Sequence, residues 1–366
     1  MQKIFLCLLV FSYSWLFAQE QDIFKKLDDK FDLLTVNLER SHQDYLARQD
    51  AAWKSYVARI EAKWNEFEES TQKKWVDYSD DLDTKIRIEF EEGYAEIEVI
   101  ENADNPSALP AAEQKMEKQL TDLFSQNNEA STNMLENQVS FDEDGKQVVN
   151  QDNSSQFFQK KVKGNIQERG TFTSNDGIRR IKYRVRIPFV KNHIVRRAKK
   201  YLPSVVKYAS QYKIEPRLVL AVIYSESAFN PLAKSQADAY GLMQLIPRYG
   251  AHDAYRFIYK QNRMVSPNYL YDPDNNIRLG CAYLHVLIYK EWKIEPSSDK
   301  RRVLSICSYN WGPHNVRKKV YKRFNGRQVS YQKLYSLLRR YTPEETSNYL
   351  ERVLSKRSYF DVFFDN

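Results

Sequence analysis

The segment that most restricts this chain's fold starts at Pro216, where six consecutive apolar residues, Leu218, Val219, Leu220, Ala221, Val222 and Ile223, precede Tyr224. Proline suits the first turn of a helix, where its missing N–H would be unpaired in any case. A helix apolar on nearly every face has no side for water, so Pro216 to Ser227 is predicted to be a buried central helix. Helical apolar patterns recur over Val195 to Tyr212, Ile277 to Glu291, Arg301 to Asn310, Tyr331 to Tyr341 and Pro343 to Lys356. The fold class expected is mostly α, with a helical domain over 192–366 preceded by an α+β region. Only 10 glycines occur in 366 residues and none forms a phosphate-binding loop, which argues against nucleotide folds.

The N-terminus reads as a secretory signal over 1–18: Lys3, an apolar run from Ile4 to Phe17, then Ala18 before Gln19-Glu20. An exported protein of the periplasm or cell envelope is expected. Cys7 follows Phe5-Leu6 and lacks the small residue that precedes a lipidated cysteine, so no lipid anchor is expected. Cys281 and Cys307 lie in apolar helical patterns and read as buried free thiols ahead of a disulfide. These two cysteines and 5 histidines show no metal-ligand spacing, and neither metal nor cofactor is expected.

Charge divides the chain. Residues 20–160 carry 16 Lys+Arg against 32 Asp+Glu, and residues 161–366 carry 39 against 16. The basic half should seek an anionic partner. Within the acidic half, 19–101 reads as a helical repeat region plus a β-hairpin. Trp53, Trp64 and Trp75 are eleven residues apart, each followed three residues later by Tyr56, Phe67 or Tyr78. Eleven residues make about three helical turns, so these rings are predicted to form one stripe on a long helix reaching about Thr84. That stripe would pack on the protein or on itself, or serve a protein partner or a saccharide. Ile86 to Ile100 alternates as a hairpin, 102–165 reads as a polar linker or insertion with a helical segment near Ala111 to Phe124, and 166–191 reads as a basic hairpin turning at Asp176-Gly177.

The central helix ends in Ser225-Glu226-Ser227. A carboxylate there loses hydration and faces the negative end of the helix dipole, both of which favour the protonated form that a general acid needs. Four groups follow one another: Glu226-Ser227-Ala228-Phe229-Asn230-Pro231 with Ser235, Gly241-Leu242-Met243-Gln244, Ser308-Tyr309-Asn310, and Glu345-Thr346-Ser347-Asn348-Tyr349. In this order they resemble the lytic transglycosylases of the soluble-lytic, goose-lysozyme-like family, over about Val195 to Lys356. The hairpins and the Tyr-Leu-Pro and Tyr-Leu-Glu-Arg-Val contexts are most similar to the membrane-bound murein transglycosylase C branch.

The resemblance implies a lysozyme-like helical domain that cleaves the MurNAc-GlcNAc β-1,4 bond of peptidoglycan glycan strands and leaves 1,6-anhydro-MurNAc ends. Glu226 would be the single general acid and base. Ser227, Ser235, Met243, Gln244, Tyr309, Asn310, Glu345 and Tyr349 would contact the saccharide. Thr342-Pro343-Glu344-Glu345 also reads as a capping box, which would occupy Glu345 without a ligand. The acidic N-terminal region would position the enzyme without sharing in its chemistry. Two readings stand beside this one: a non-catalytic peptidoglycan-binding or scaffolding protein, and a hydrolytic goose-type lysozyme. Nucleic-acid binding rests on basicity alone and is not expected.

Overall fold

A computed structural model describes residues 30, 34, 39–41, 43–125, 134–142 and 144–365. The expected signal at 1–18 lies outside them. The chain divides into two compact units, Met1–Phe67 and Glu68–Asn366.

In the first unit, helix α1 covers 43–64 and stops where Asn65 takes a left-handed φ of 68°. Asparagine tolerates that conformation, which ends helices. Trp53 packs against Tyr56 and edge-on to Phe67, with ring centres 5.8 and 5.5 Å apart. The predicted stripe of Trp53, Trp64 and Trp75 does not exist, because Trp75 and Tyr78 belong to a β-strand of the second unit. With it goes the reason to expect a partner or self-association through an aromatic helix.

That strand, β1 (Lys74–Tyr78), begins an antiparallel sheet with β2 (Thr84–Glu89), β3 (Tyr94–Asn102), β4 (Gln167–Thr173) and β5 (Arg179–Pro188), in the order β1-β2-β3-β5-β4. Its two hairpins, β2–β3 and β4–β5, lie where alternation placed them. The register sets Ile86 opposite Ile97 and Ile97 opposite Val185, so these side chains share one face with Ile88, Ala95 and Ile187. Helix α2 (Ala108–Phe124) covers that face with Ala112, Met116 and Leu120. On the opposite face Lys85 stands across from Glu98 and Arg87 across from Glu96, at 2.7 and 2.5 Å. Opposite charges directly across a pair of strands reinforce the register.

The described residues within 102–165 are packed on the sheet and do not form a linker. Besides α2, the segment supplies α3 (Ser154–Phe157), and Leu135, Val139, Phe157, Phe158 and Val162 are buried in the sheet's core. Its apolar residues are few, but most of those described are buried, so average polarity concealed a packed segment.

Helices α4 (His193–Tyr212), α5 (Pro216–Ser227), α6 (Gly250–Tyr259), α7 (Pro267–Tyr271), α8 (Pro273–His285), α9 (Ser298–Trp311), α10 (Pro313–Val316), α11 (Tyr331–Tyr341) and α12 (Glu344–Lys356) form the second core. Leu218 to Ile223 of α5 are all buried, as their sequence requires, and α5 packs between α4 and α12. Cys281 and Cys307 are free thiols in this core, and burial pushes both thiol pKa values up. Sheet and helices meet directly within the second unit. Arg197 of α4 donates to the carbonyl of Phe90, and Asn230 Nδ2 donates to the carbonyl of Gln72 at 3.2 Å.

Candidate active site

Helix α5 ends abruptly after Glu226, because Ala228 and Phe229 both adopt left-handed backbone, with φ of 50° and 64°. Neither is glycine, so packing must hold them there. Phe229 is fully buried, stacked on Tyr201 at 6.3 Å and edge-on to Phe360 at 5.8 Å. Ser227 Oγ lies 3.1 Å from the carbonyl of Ile223 and 2.8 Å from that of Leu242. It is fully buried and does not line the cleft. Its place is structural: it ties the end of α5 to the loop that carries Gln244.

That loop is fixed from below by Asn276 of α8. The Asn276 Oδ1 accepts from the N–H of Met243 at 2.8 Å, while Nδ2 donates to the carbonyls of Tyr240 and Leu270 at 2.9 and 2.7 Å. Tyr309 of α9 donates its hydroxyl to the Met243 carbonyl at 2.8 Å. The Met243 side chain is fully buried against Gly280, so this residue supports the site through its backbone and does not line the cleft. Gln244 Nε2 donates to the carbonyls of Ala233 and Gly241, each at 3.0 Å, and its buried Oε1 has no partner among the described residues.

Above these groups opens a cleft of about 760 Å³, lined by Glu226, Ser235, Gln244, Tyr309, Asn310 and Glu345. The fold therefore brings together six of the nine residues singled out in the sequence. Asn310 links two walls, donating from Nδ2 to Glu345 Oε1 at 3.2 Å and accepting from Thr346 Oγ1 at 2.6 Å. No capping box forms at α12. Pro343 occupies the cap position itself, and the Thr342 hydroxyl turns back to the carbonyl of Leu338 at 2.8 Å. Glu345 is thereby left facing the cleft.

Glu226 is partly exposed to the cleft while protein closely surrounds its carboxyl group. Burial pushes its pKa up to about 7, against the usual 4.5, and the negative charge of Glu345 adds to the shift. The Tyr349 hydroxyl, Lys73 and Arg352 oppose it. Tyr349 is buried behind the carboxyl, and its hydroxyl has no good hydrogen bond to any other described group. Such a carboxyl holds its proton near neutrality and gives it up readily.

The same shift has a stability consequence. The folded state binds the Glu226 proton more tightly than the unfolded chain, so its contribution is full below about pH 4.5 and is lost as the pH rises through about 7. Glu226→Gln should therefore gain stability over the wild type as the pH rises across that window and match it below. Urea unfolding of both proteins from pH 4 to 8 measures this; a gap that is constant with pH would contradict the shift.

Sequence reasoning missed the opposite wall. Glu69, Ser70, Thr71 and Gln72, just before β1, line the same cleft, and Lys73 pairs with Glu91 at 2.7 Å beside the Tyr224 ring. The N-terminal region thus contributes a wall of the cleft, which the positioning role expected of it did not include. No motif marks the segment; only the sheet's packing on the helices places it.

Comparison with known proteins agrees with the two-part organisation. A family model for the transglycosylase SLT domain matches residues 203–331, and a model for the N-terminal domain of membrane-bound lytic murein transglycosylase C matches residues 38–200. Membrane-bound lytic murein transglycosylase C of Histophilus somni (strain 2336) is 34% identical over 227 residues, 60% of each chain. The protein of the same name from Yersinia pestis (strain Pestoides F) is 40% identical over 144 residues, 39% of this chain and 40% of that one. The chain thus spans about 60% or less of the length of these relatives. The 70 kDa soluble lytic transglycosylase from Escherichia coli is 29% identical over 44% of this chain and 24% of that one, with a TM-score of 0.38. Glu226 and the cleft around it lie within the first of these matches or pack directly against it, and the wall at 69–72 lies within the second. Residues 203–331 are thus similar to the transglycosylase SLT domain, and residues 38–200 to the N-terminal domain of membrane-bound lytic murein transglycosylase C.

Proposed function

We propose that this protein is a peptidoglycan lytic transglycosylase in which Glu226 is the single general acid and base. The observation that carries the reading is one carboxyl group, Glu226, whose surroundings push its pKa up to about 7, in a cleft that it shares with amides, hydroxyls, a tyrosine and three further carboxylates. Glu226 would donate its proton to the glycosidic oxygen between MurNAc and GlcNAc as that bond breaks. The resulting carboxylate then takes the proton of the muramyl C6 hydroxyl, whose oxygen closes on C1. The product is a 1,6-anhydro sugar, and no water is consumed. Ser235, Gln244, Asn310 and Glu345 would hold the sugars, Tyr309 and Tyr349 would set the carboxyl's surroundings, and Ser227 and Met243 would act through the loop they anchor.

A two-carboxylate glycosidase needs a partner for Glu226. The cleft offers Glu69, Asp238 and Glu345. The proposal predicts that Glu69→Gln, Asp238→Asn and Glu345→Gln each keep kcat within about tenfold of the wild type, whereas loss of a true acid–base partner costs roughly 10²–10⁴-fold. Initial rates on purified murein with each variant decide it, and a loss of the larger size at any one position would replace this mechanism with a paired one.

We also place the protein at the cell envelope. No helix among the described residues is long and apolar enough to cross a membrane. The relatives' names carry the words membrane-bound, which runs against the expectation that Cys7 bears no lipid.

A further inference from the structure

A second cavity, of about 710 Å³, opens beside β5 and shares no lining residue with the cleft. Four cationic side chains line it, Lys161, Arg169, Arg184 and Arg186, and among the described residues no acidic one does. Arg184 and Arg186 reach the buried Glu96 at 3.7 and 3.0 Å, but the same carboxylate also takes Arg87 at 2.5 Å. Arg87 is itself paired with Glu68, so the single carboxylate of Glu96 serves Arg184 and Arg186 together and leaves positive charge at the cavity wall. The Arg186 guanidinium lies over the Tyr94 ring, 4.0 Å from its centre, and also donates to Glu96, two contacts that restrain its orientation. Phe157, Val162 and Ile187 give the remaining wall an apolar character.

The sheet register adds a backbone element. β4 pairs with β5 only as far as Arg184, opposite Gln167, whereas β3 continues alongside β5 to Pro188. From Val185 to Ile187 one side of β5 therefore lies beyond its neighbouring strand, where an extended chain can align. We propose that this cavity binds an extended peptide with free carboxylates, the β5 edge aligning its backbone and the four cations taking its charges. Naming the peptide as a muramyl stem rests on the peptidoglycan reading above. A phosphate group alone would use the cations and neither the apolar wall nor the strand edge. A membrane surface would not enter a cavity.

The test uses the full chain carrying Glu226→Gln, so that binding is read without cleavage. Fluorescence anisotropy with a labelled stem tetrapeptide, L-alanyl-γ-D-glutamyl-L-lysyl-D-alanine, is compared with the same peptide amidated at its carboxyl groups. Saturable binding is expected, weakened about tenfold or more by amidation and by the double variant Lys161→Glu with Arg169→Glu. Both positions are exposed, and circular dichroism should be unchanged. Equal affinity for the amidated peptide, equal binding by the double variant, or charge-dependent binding confined to inorganic phosphate or to phosphatidylglycerol vesicles would overturn the proposal. Cleavage of peptide-free glycan strands by the double variant with Glu226 intact should match the wild type. Failure of the wild type to cleave would count against the proposed function, and failure of peptide binding would count against this site.

Discussion

Glu226→Gln is expected to lower the rate of murein cleavage roughly 10²–10⁴-fold while leaving saccharide binding within a few-fold of the wild type. Glutamine fills the same volume at the end of α5 and keeps an oxygen for Tyr349 to face, but it has no proton to deliver. The packing around the residue does not depend on its charge: Phe229 is clamped by Tyr201 and Phe360, and Ser227 is tied to Leu242. A fall in kcat with KM little changed is the signature of an interaction made only in the transition state. If KM rose and kcat held, Glu226 would be a binding residue and the acid would have to be sought elsewhere in the cleft.

The second large effect concerns stability. Asn276 is fully buried and satisfies three backbone groups at once: the N–H of Met243 and the carbonyls of Tyr240 and Leu270. Asn276→Leu is close in size and leaves the Met243 N–H and the Leu270 carbonyl without their partner in the core, while the Tyr240 carbonyl keeps the N–H of Leu245 at 3.1 Å. Each orphaned group costs about 1–3 kcal/mol, so the substitution should cost roughly 2–6 kcal/mol, measured by urea unfolding. Asn276→Asp keeps the acceptor for Met243 and loses both donated bonds, and should fall between the two. Because the loop from Gly241 to Gln244 hangs on these bonds, activity should fall with stability in both variants. A leucine variant as stable as the wild type would mean that the loop is held by its packing and not by Asn276.

The helical half was legible because its strongest signal is physical. Leu218 to Ile223 can be satisfied only inside a core, and a carboxylate at the end of such a helix must lose water. Helix α6 was not legible: Tyr249 at its start offers no capping side chain, and the helix is short. The N-terminal half misled for a specific reason. Tryptophans eleven residues apart fit a helix, yet Asn65 ends α1 between the second and third of them, and Trp75 alternates in a strand. Likewise Thr342 and Glu345 have capping-box spacing, but Pro343 takes the cap and frees Glu345 for Asn310. The wall at Glu69 to Gln72 depends on contacts such as that of Asn230 with Gln72, which join residues 158 positions apart. No local pattern encodes such a contact.

The central claim is that Glu226 alone moves both protons and that the muramyl C6 hydroxyl, not water, closes on C1. Mass spectrometry of the soluble products after digestion of purified murein, with the Glu226→Gln variant run in parallel, tests it most directly. The account predicts products one water lighter than reducing muropeptides from the wild type, and none from the variant. Reducing products from the wild type, or the lighter products from the variant, would contradict it.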